Sequence, residues 1–290
     1  MEISTLFVES SAAYPIDFPP LWASAWGEDQ YGLYADLTIN YEKGLIQRFR
    51  WIAAGEFMMG SPADEAQRFD REDYHRVTLT RGYWLAETAV TQAVWQAVTG
   101  ENPSSFKGEQ NPVERVSWDD VQGFIKQLNE DLGSSLSELA VRLPTEAEWE
   151  HACRAGTDTP FSLGENITPE QVNYHGMFPY ADGEEGIYRE KTVPVKSLPA
   201  NPWGLYEMHG NVWEWCADSW QKHPGEEPVA DPYQYQETGS NRVLRGGSWI
   251  SRGERVRSAY RYHFSPGFRL DGIGFRLSLG HVSSSRGSER

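Results

Sequence analysis

Hydrophobic and polar positions recur with a clear period mainly in the first half of the chain. One segment carries apolar residues at i, i+3, i+4 and i+7, the stripe of an amphipathic helix: Val121, Phe124, Ile125 and Leu128. Ser117 and Asp120 have the spacing of a capping box, and Gly133 follows the last apolar position. The pattern predicts a helix that begins after Ser117 and ends at Gly133.

Two further helices are predicted from their end signals. The first covers residues 91–98, with a threonine as N-cap and Gly100 just beyond its end. The other lies in "PTEAEWEHACRAG", where Thr145 and Glu148 form a second capping box and Gly156 is the stop signal. All three helices therefore fall in the first part of the chain.

Strand patterns and turns account for the rest. "YGLYADLTI" alternates like a strand, and "RFRWIAAGEFMMGS" predicts strand, turn and strand with Gly55 at the turn. "PIDFPPLW" is typical of extended chain. After Gly156 the sequence is rich in Gly, Pro, Asn and aromatic residues, with short strand-like pieces "TVPV" and "RVLRGGSW". The prediction is an α+β fold, rich in loops and low in regular structure.

Charge is distributed unevenly over the 290 residues, whose formal net charge is −16. Residues 241–290 hold ten Arg, no Lys and three acids, a balance of +7 that leaves −23 for the remainder. An acidic body disfavours general binding to nucleic acid or anionic membranes. The arginines have two interpretations: a local binding face, or ion pairs with the acidic body, and the second is the ordinary fate of Arg.

The cysteines and the N-terminus bound the cellular context. Cys153 and Cys216 are the only cysteines, which excludes a disulfide framework, and both are predicted to be small buried hydrophobes. The N-terminus lacks the basic region of a secretory signal, and no run of 18 apolar residues occurs. The expected location is cytoplasmic.

Six motifs occur in an order that is specific to one family: "FMMGS", "VERVSWDDVQGF", "RLPTEAEWEHACRAG", "NPWGLYEMHGNVWEWCAD", "RVLRGGSW" and "GFRL". Together they resemble the formylglycine-generating enzyme, or sulfatase-modifying-factor, family. The resemblance implies a C-type-lectin-like fold over residues 47–280. It leaves residues 1–46 as an N-terminal extension packed on the domain and 281–290 as a flexible tail.

The resemblance also implies an activity that this sequence does not support. Enzymes of the family oxidise a cysteine of a sulfatase to formylglycine with Cu(I), held by two cysteines after the Gly-Gly-Ser-aromatic motif. Ser251 stands at the first cysteine position, and no cysteine occurs in 253–256, where the second falls. Cu(I) needs soft thiolate ligands, so no copper and no catalytic residue are expected. A divergent oxidase, or another oxidoreductase at an unrecognised site, remains the alternative.

Calcium is the cofactor that the resemblance implies. One structural site carries over to Glu207, Gly210, Val212 and Glu214, with Gly and Val serving through their carbonyls. A second site carries over to Asn173 and Tyr174, completed by an acid that could be Asp182, Glu184 or Glu185.

The stretch after "RGGSW" combines two kinds of position. "VRSAYR" is expected to cross the domain as a buried strand, with inward-packed rings and with arginines paired to acids: Arg255, Arg257, Tyr260, Arg261, Phe275 and Arg276. The others mix large aromatic residues with small polar ones, the composition of a paratope. They are the predicted exposed ligand-binding residues: Ile250, Ser251, Arg252, Tyr262, His263, Phe264, Gly267, Phe268, Leu270, Asp271 and Gly272.

A second resemblance concerns the same stretch. Variable proteins of diversity-generating retroelements keep a fixed "GGSW" and "GFR" around positions that adenine-directed mutagenesis rewrites, and "RSAYR" and "IGFR" are present here. An undiversified relative with a fixed partner explains the pattern equally. In either case the sequence predicts a non-catalytic module that binds an unknown protein or small-molecule ligand through residues 250–272.

Overall fold

The structure is a computed structural model that describes residues 14–281 except 16, 41, 137, 237 and 238. The expectations about the first residues and about residues 282–290 of the tail lie outside this range. No helix among the described residues is long and apolar enough to cross a membrane.

Short strands dominate the described part of the chain. In chain order they are β1 (Ala25–Asp29), β2 (Gly32–Asn40), β3 (Leu45–Ile52), β4 (Gly55–Met59), β5 (His75–Leu79), β6 (Tyr83–Ala86), β7 (Leu139–Arg142), β8 (Trp213–Ser219), β9 (Val229–Ala230), β10 (Arg242–Arg245), β11 (Arg261–Phe264), β12 (Ile273–Gly274) and β13 (Ser278–His281). The helices are α1 (Gln92–Thr99), α2 (Trp118–Leu132) and α3 (Glu146–Arg154), with 3-10 turns at Gly133–Leu136 and Gly253–Arg255. This content is the predicted α+β class.

Helix ends follow the signals in the sequence. Ser117 and Thr145 each form a complete capping box with the acid three residues later, and Thr91 accepts a hydrogen bond from the Val94 N–H. The stop of α3 differs from the prediction. Ala155, with φ of 48°, takes the left-handed position at the helix end, one residue before Gly156.

One six-stranded sheet joins strands from both ends of the described chain. It has the order β1-β2-β3-β6-β13-β7 with every neighbouring pair antiparallel, so that strands from both ends of the described chain pair with the middle. The N-terminal residues 25–40 therefore supply two strands of this sheet. A three-stranded sheet, β4-β5-β9, lies apart from it.

The second sheet, of order β11-β10-β8-β12, carries the C-terminal stretch. Its central strands β10 and β8 are antiparallel, and β11 forms an edge. The prediction that "VRSAYR" forms a strand is wrong. Its residues are buried, but 256–260 form turns and the strand begins only at Arg261. The strand-like piece "TVPV" likewise forms no strand, because its proline lacks the N–H that a ladder requires.

Aromatic side chains fill the space between the sheets and the helices. Trp95 of α1 stacks on Phe124 of α2 at 5.1 Å, and Phe275 meets both rings edge-on. A second cluster contains Trp149 of α3 with both cysteines, which are fully buried as predicted. The core thus fixes α3 and the four-stranded sheet, the two elements from which the C-terminal stretch is held.

Candidate functional site

Four arginines of the C-terminal stretch are buried and bind acids on other elements. Arg245 donates to Glu150 of α3 and to the carbonyl oxygens of residues 258–260. Arg261 donates to both oxygens of Glu146 at 2.6 and 2.7 Å. Burial alone would raise the pKa of Glu146, but the charges of Arg261 and Arg245 hold it below its usual value.

The other two buried arginines reach further. Arg257 contacts Glu65 at 2.5 Å and Glu72 at 2.8 Å, and Arg276 binds Glu214 through two hydrogen bonds of 2.6 and 2.8 Å. We call this set the arginine framework: Arg245, Arg257, Arg261 and Arg276. The predicted ion pairs of Arg257, Arg261 and Arg276 are thereby confirmed.

The three other residues that the sequence predicted to be buried or paired in this stretch differ in exposure. Tyr260 and Phe275 are buried, as expected. Arg255 is exposed, and its guanidinium lies 3.6 Å from its neighbour Glu254. Arg255 and Glu254 therefore form a surface ion pair, which contributes little to stability.

Ser251 is held by the turn that follows β10. Its hydroxyl accepts a hydrogen bond from the Ser248 N–H at 3.0 Å, and its carbonyl accepts one from the His175 N–H at 2.8 Å. Five positions later, Val256 is fully buried in an apolar cluster with Phe161 and Tyr180. The region of the family's cysteine pair thus contains a hydrogen-bonded hydroxyl and a packed valine, with no soft ligand for copper.

The two cysteines cannot substitute for that pair. Both are fully buried, and burial raises the pKa of the Cys153 thiol to about 12 and that of Cys216 well above its usual value. Thiols that stay protonated are poor metal ligands and poor nucleophiles. The Cys153 sulfur lies 3.7 Å from Nε2 of His209, whose pKa burial lowers to about 4. His209 is structural, because its Nδ1 contacts the Val256 carbonyl at 2.7 Å.

The eleven predicted ligand-binding residues differ in exposure. The exposed positions are Ile250, Arg252, Gly267, Phe268 and Leu270, and the half-buried ones are Tyr262, His263, Phe264 and Asp271. Ser251 and Gly272 are buried, which corrects the expectation that all eleven are exposed. A Cβ added to Gly272 would come within 3.0 Å of Oγ of Ser248, so a side chain at this position would require Ser248 to shift.

One group of these residues lies beside the 175–188 loop. The Arg252 guanidinium lies 4.4 Å from the Phe178 ring centre, and the Gly253 N–H donates to the Phe178 carbonyl. His175 stacks on Tyr188 at 3.7 Å. We call this group the loop patch. It comprises Met177, Phe178, Ile187, Tyr188, Ile250, Ser251 and Arg252.

Sequence reasoning missed the contribution of the 175–188 loop. Met177, Phe178 and Ile187 are each at least 43% exposed, and Ile250 is 54% exposed. Their segments are tied together, since Ser251 and Gly253 bond to this loop through backbone atoms. The run "GMFPYADGEEGIY" carried a signal, because exposed apolar residues between polar turns are typical of binding surfaces.

The second group lies on the edge strand β11. Tyr262 stacks near Trp213 at 5.6 Å, His263 near Trp220 at 4.4 Å, and Phe264 contacts Phe268 at 4.2 Å. We call Tyr262, His263, Phe264 and Phe268 the strand patch. Tyr262 and Phe264 pack against the main core, so only Phe268 behaves as the free surface ring that the sequence predicted for all three.

Trp213 and Trp249 connect the two patches. The Trp213 N–H donates to the Gly272 carbonyl at 2.7 Å, and Nε1 of Trp249 donates to the Asp271 carbonyl at 3.1 Å. Trp249 also stacks on Tyr188 at 6.0 Å. Contacts therefore run from Tyr262 through Trp213 and Trp249 to the loop patch. We call the two patches together with 267–272 the C-terminal face.

The first calcium site fits the residues that would form it. Oε1 of Glu207 is buried without a hydrogen-bond partner among the described residues. Burial first, and then the nearby charge of Glu214, raise the pKa of Glu207 to about 7. Both oxygens of Glu214 accept from Arg276, and one also accepts from Nε1 of Trp149, which leaves capacity for a further contact. A hard cation between the two carboxylates would satisfy the orphaned oxygen.

The second calcium site stays a prediction. Asn173 is fully buried, with an unpartnered Oδ1, but its carbonyl already accepts from the Asn211 N–H. The three candidate acids are exposed, and Asp182 lies near the Asn166 amide instead: Asp182, Glu184 and Glu185. Within the described range, no group of three or more His, Cys, Asp or Glu side chains could hold a metal, so either site would depend on carbonyl ligands.

Comparisons with known proteins agree with this geometry. A family model for the sulfatase-modifying factor enzyme 1-like domain matches residues 37–279. The chain is 32% identical over 220 residues to the formylglycine-generating enzyme of Mus musculus, covering 73% of this chain and 55% of that one. It is 32% identical over 207 residues to a Bos taurus protein named inactive C-alpha-formylglycine-generating enzyme 2, covering 68% and 59%.

Among solved structures, Treponema denticola variable protein 1 superposes with a TM-score of 0.72 at 29% identity, covering 84% of this chain and 98% of that one. The chain spans little more than half the length of the two curated relatives. It spans nearly the whole of the variable protein.

Proposed function

The chain belongs to the sulfatase-modifying factor family, and from this premise we propose that it is a non-catalytic module that binds a protein or small-molecule ligand through the C-terminal face. The observation that carries the proposal is the environment of Ser251. A hydroxyl bonded to the Ser248 N–H stands where the family's first copper ligand belongs. The fold is kept while the soft ligands are absent, which leaves the surface around them as the functional element.

The composition of the face supports binding. Ile250 of the loop patch is 54% exposed, and Phe268 and Leu270 near the strand patch are 37% and 43% exposed. Apolar area of this kind is costly in water unless a partner covers it. Arg252 adds a guanidinium above the Phe178 ring, and arginine and aromatic residues dominate interface energetics. A solved relative bears the name variable protein, which agrees with a surface specialised for ligands.

The test is capture of a ligand by matched variants. We expect a partner retained by the wild-type chain to be lost by the triple variant Ile250→Ala, Arg252→Ala, Phe268→Ala. The control is a triple variant at exposed residues outside the face: Leu21→Ala, Ile46→Ala and Tyr74→Ala. Equal retention of every partner by the two triple variants would contradict the proposal.

The genome decides whether the face is diversified. A nearby reverse transcriptase gene, with a near-copy of this coding segment differing at adenines, would establish diversification, and its absence an undiversified relative. The structure adds a constraint on which codons vary. Differences are expected at Ile250, Arg252 and Phe268, and not at Gly272, where a side chain would meet Ser248.

We also propose that calcium occupies the first site. Glu207 and Glu214 would supply carboxylate oxygens, and Gly210 and Val212 their carbonyls. The support is the buried, unpartnered Oε1 of Glu207. The cation's role would be structural, since it would neutralise the buried Glu207 beside Glu214, whose charge Arg276 already balances.

A further inference from the structure

A cavity of about 400 Å³ lies outside the C-terminal face, and none of the eleven predicted ligand-binding residues lines it. The side chains that define it are Tyr14, Glu28, Tyr31, Trp51, His151 and Trp203. The first three precede residue 37, where the family match begins, and the last three belong to the matched domain. The cavity therefore lies where the extension meets the domain, a common place for ligand sites.

His151 forms a neutral part of the cavity wall. His151 is only 7% exposed. Its ring lies between the rings of Phe57 and Trp203, with a distance of 5.0 Å between ring centres in each case. Its Nδ1 is buried and has no hydrogen-bond partner among the described residues. Burial lowers the pKa of His151 to about 4, so the ring is neutral at neutral pH.

The electrostatics of the cavity select the charge of the ligand. Its described lining contains one acid, Glu28, and neither Lys nor Arg. The nearby Arg50, 5.3 Å from the Tyr31 ring centre, is neutralised by Asp29 and Glu87. The whole chain has a net charge of −16. Aromatic faces attract cations through their quadrupole, most strongly when water is displaced.

We propose that this cavity binds a small organic cation of the alkylammonium class, with Tyr31, Trp51 and Trp203 around the cation and Glu28 as its counter-ion. His151 forms part of the wall as a neutral group that does not repel the ligand. The site is separate from the C-terminal face, so either proposal can fail without the other.

The test uses two probes of the same shape. Choline carries a quaternary ammonium, and 3,3-dimethyl-1-butanol replaces its nitrogen with carbon. Calorimetric titration of the full chain should show choline binding at least about tenfold more tightly than the neutral probe, because only the ammonium gains the cation–π and ionic contacts. Glu28 is exposed on β1, so Glu28→Gln should fold normally and weaken choline binding about fivefold or more.

Two further variants make the result specific. Trp203→Leu should abolish choline binding, with its fold checked by circular dichroism, and Phe268→Ala on the C-terminal face should leave it unchanged. The proposal is overturned if choline does not bind, if the neutral probe binds as tightly, or if Glu28→Gln binds choline like the wild type.

Discussion

The arginine framework and residues 250–272 of the C-terminal face come from the same 33 residues, Arg245–Leu277, yet they use arginine in opposite ways. Framework arginines are buried, and each binds a carboxylate. On the face, Arg252 is exposed over the Phe178 ring, and Arg269 makes a surface ion pair with Asp120 at 2.6 Å. The difference shows that the framework determines the shape of the stretch, whereas the face can change without loss of that shape.

The largest expected effect is removal of a framework arginine. Arg245→Ala removes the guanidinium that β10 supplies to the buried carboxylates of Glu150 and Glu146. Breaking a buried ion pair by removing one partner costs about 3–5 kcal/mol of stability. We expect a loss within this range and not above it, measured by denaturant unfolding, because Arg154 still binds Glu150 and Arg261 still binds Glu146. Arg252→Ala is the matched control and should change stability by about 0.5 kcal/mol or less. Similar losses for both variants would remove the distinction between framework and face.

A somewhat smaller effect should depend on pH. Asp218 of β8 accepts hydrogen bonds from the N–H groups of Glu146 and Gln234, and burial, then the charge of Glu146, raise its pKa to about 7. A carboxyl whose folded pKa exceeds its unfolded value near 3.8 binds more protons when folded, so stability falls as pH rises from about 4 to 7.

Comparison with Asp218→Asn isolates this titration. The variant loses a hydrogen bond at every pH, so only the titration changes the difference between the two unfolding free energies. Between pH 4 and pH 8 that difference should move in favour of the variant by on the order of 4 kcal/mol, about 1.4 for each pKa unit. A difference that stays constant with pH would show that burial does not raise the pKa of Asp218 in the folded chain.

Calcium binding should raise the free energy of unfolding of the chain by a moderate amount. Binding to the folded state alone adds about 2.7 kcal/mol at a calcium concentration one hundred times the dissociation constant. Glu207→Gln should remove this increment in thermal unfolding, and Glu184→Gln, at an exposed acid considered for the second site, should keep it. An increment that survives in Glu207→Gln and disappears in Glu184→Gln would place the cation at the other site.

The smallest effect on stability belongs to the face. Ile250→Ala and Phe268→Ala remove exposed side chains, and each should change the free energy of unfolding by about 0.5 kcal/mol or less. Phe264→Ala should cost more, because Phe264 packs against the main core. If Phe268→Ala unfolds the chain, that ring belongs to the core and the face is smaller than proposed.

Local signals in the sequence were sufficient for the helices. The capping boxes at Ser117 and Thr145 are interactions within four residues, and the structure contains both. The class of fold followed from such local patterns and from the order of the six motifs. "VRSAYR" is buried as expected, but it was wrongly predicted to be a strand, because partners far along the chain hold its turns, such as Glu65 and Glu72 for Arg257.

The site shows the same division between local and distant information. The absence of cysteine after Cys216 can be read directly from the sequence, and so can the aromatic character of residues 262–268. The contribution of Phe178 and Ile187 to the loop patch could not be predicted, because backbone contacts across about 75 residues bring the two segments together. The same holds for the cavity that joins Glu28 to Trp203.

The most direct test of the central claim is incubation of the purified chain with Cu(I), oxygen and a cysteine-containing sulfatase peptide, followed by mass spectrometry of the peptide. Ser251 and Val256 offer copper no thiolate, and the thiols of Cys153 and Cys216 are buried and protonated. The account predicts no aldehyde above a control without protein, while an active family member run in parallel converts the peptide. Formylglycine above that control would contradict a non-catalytic module.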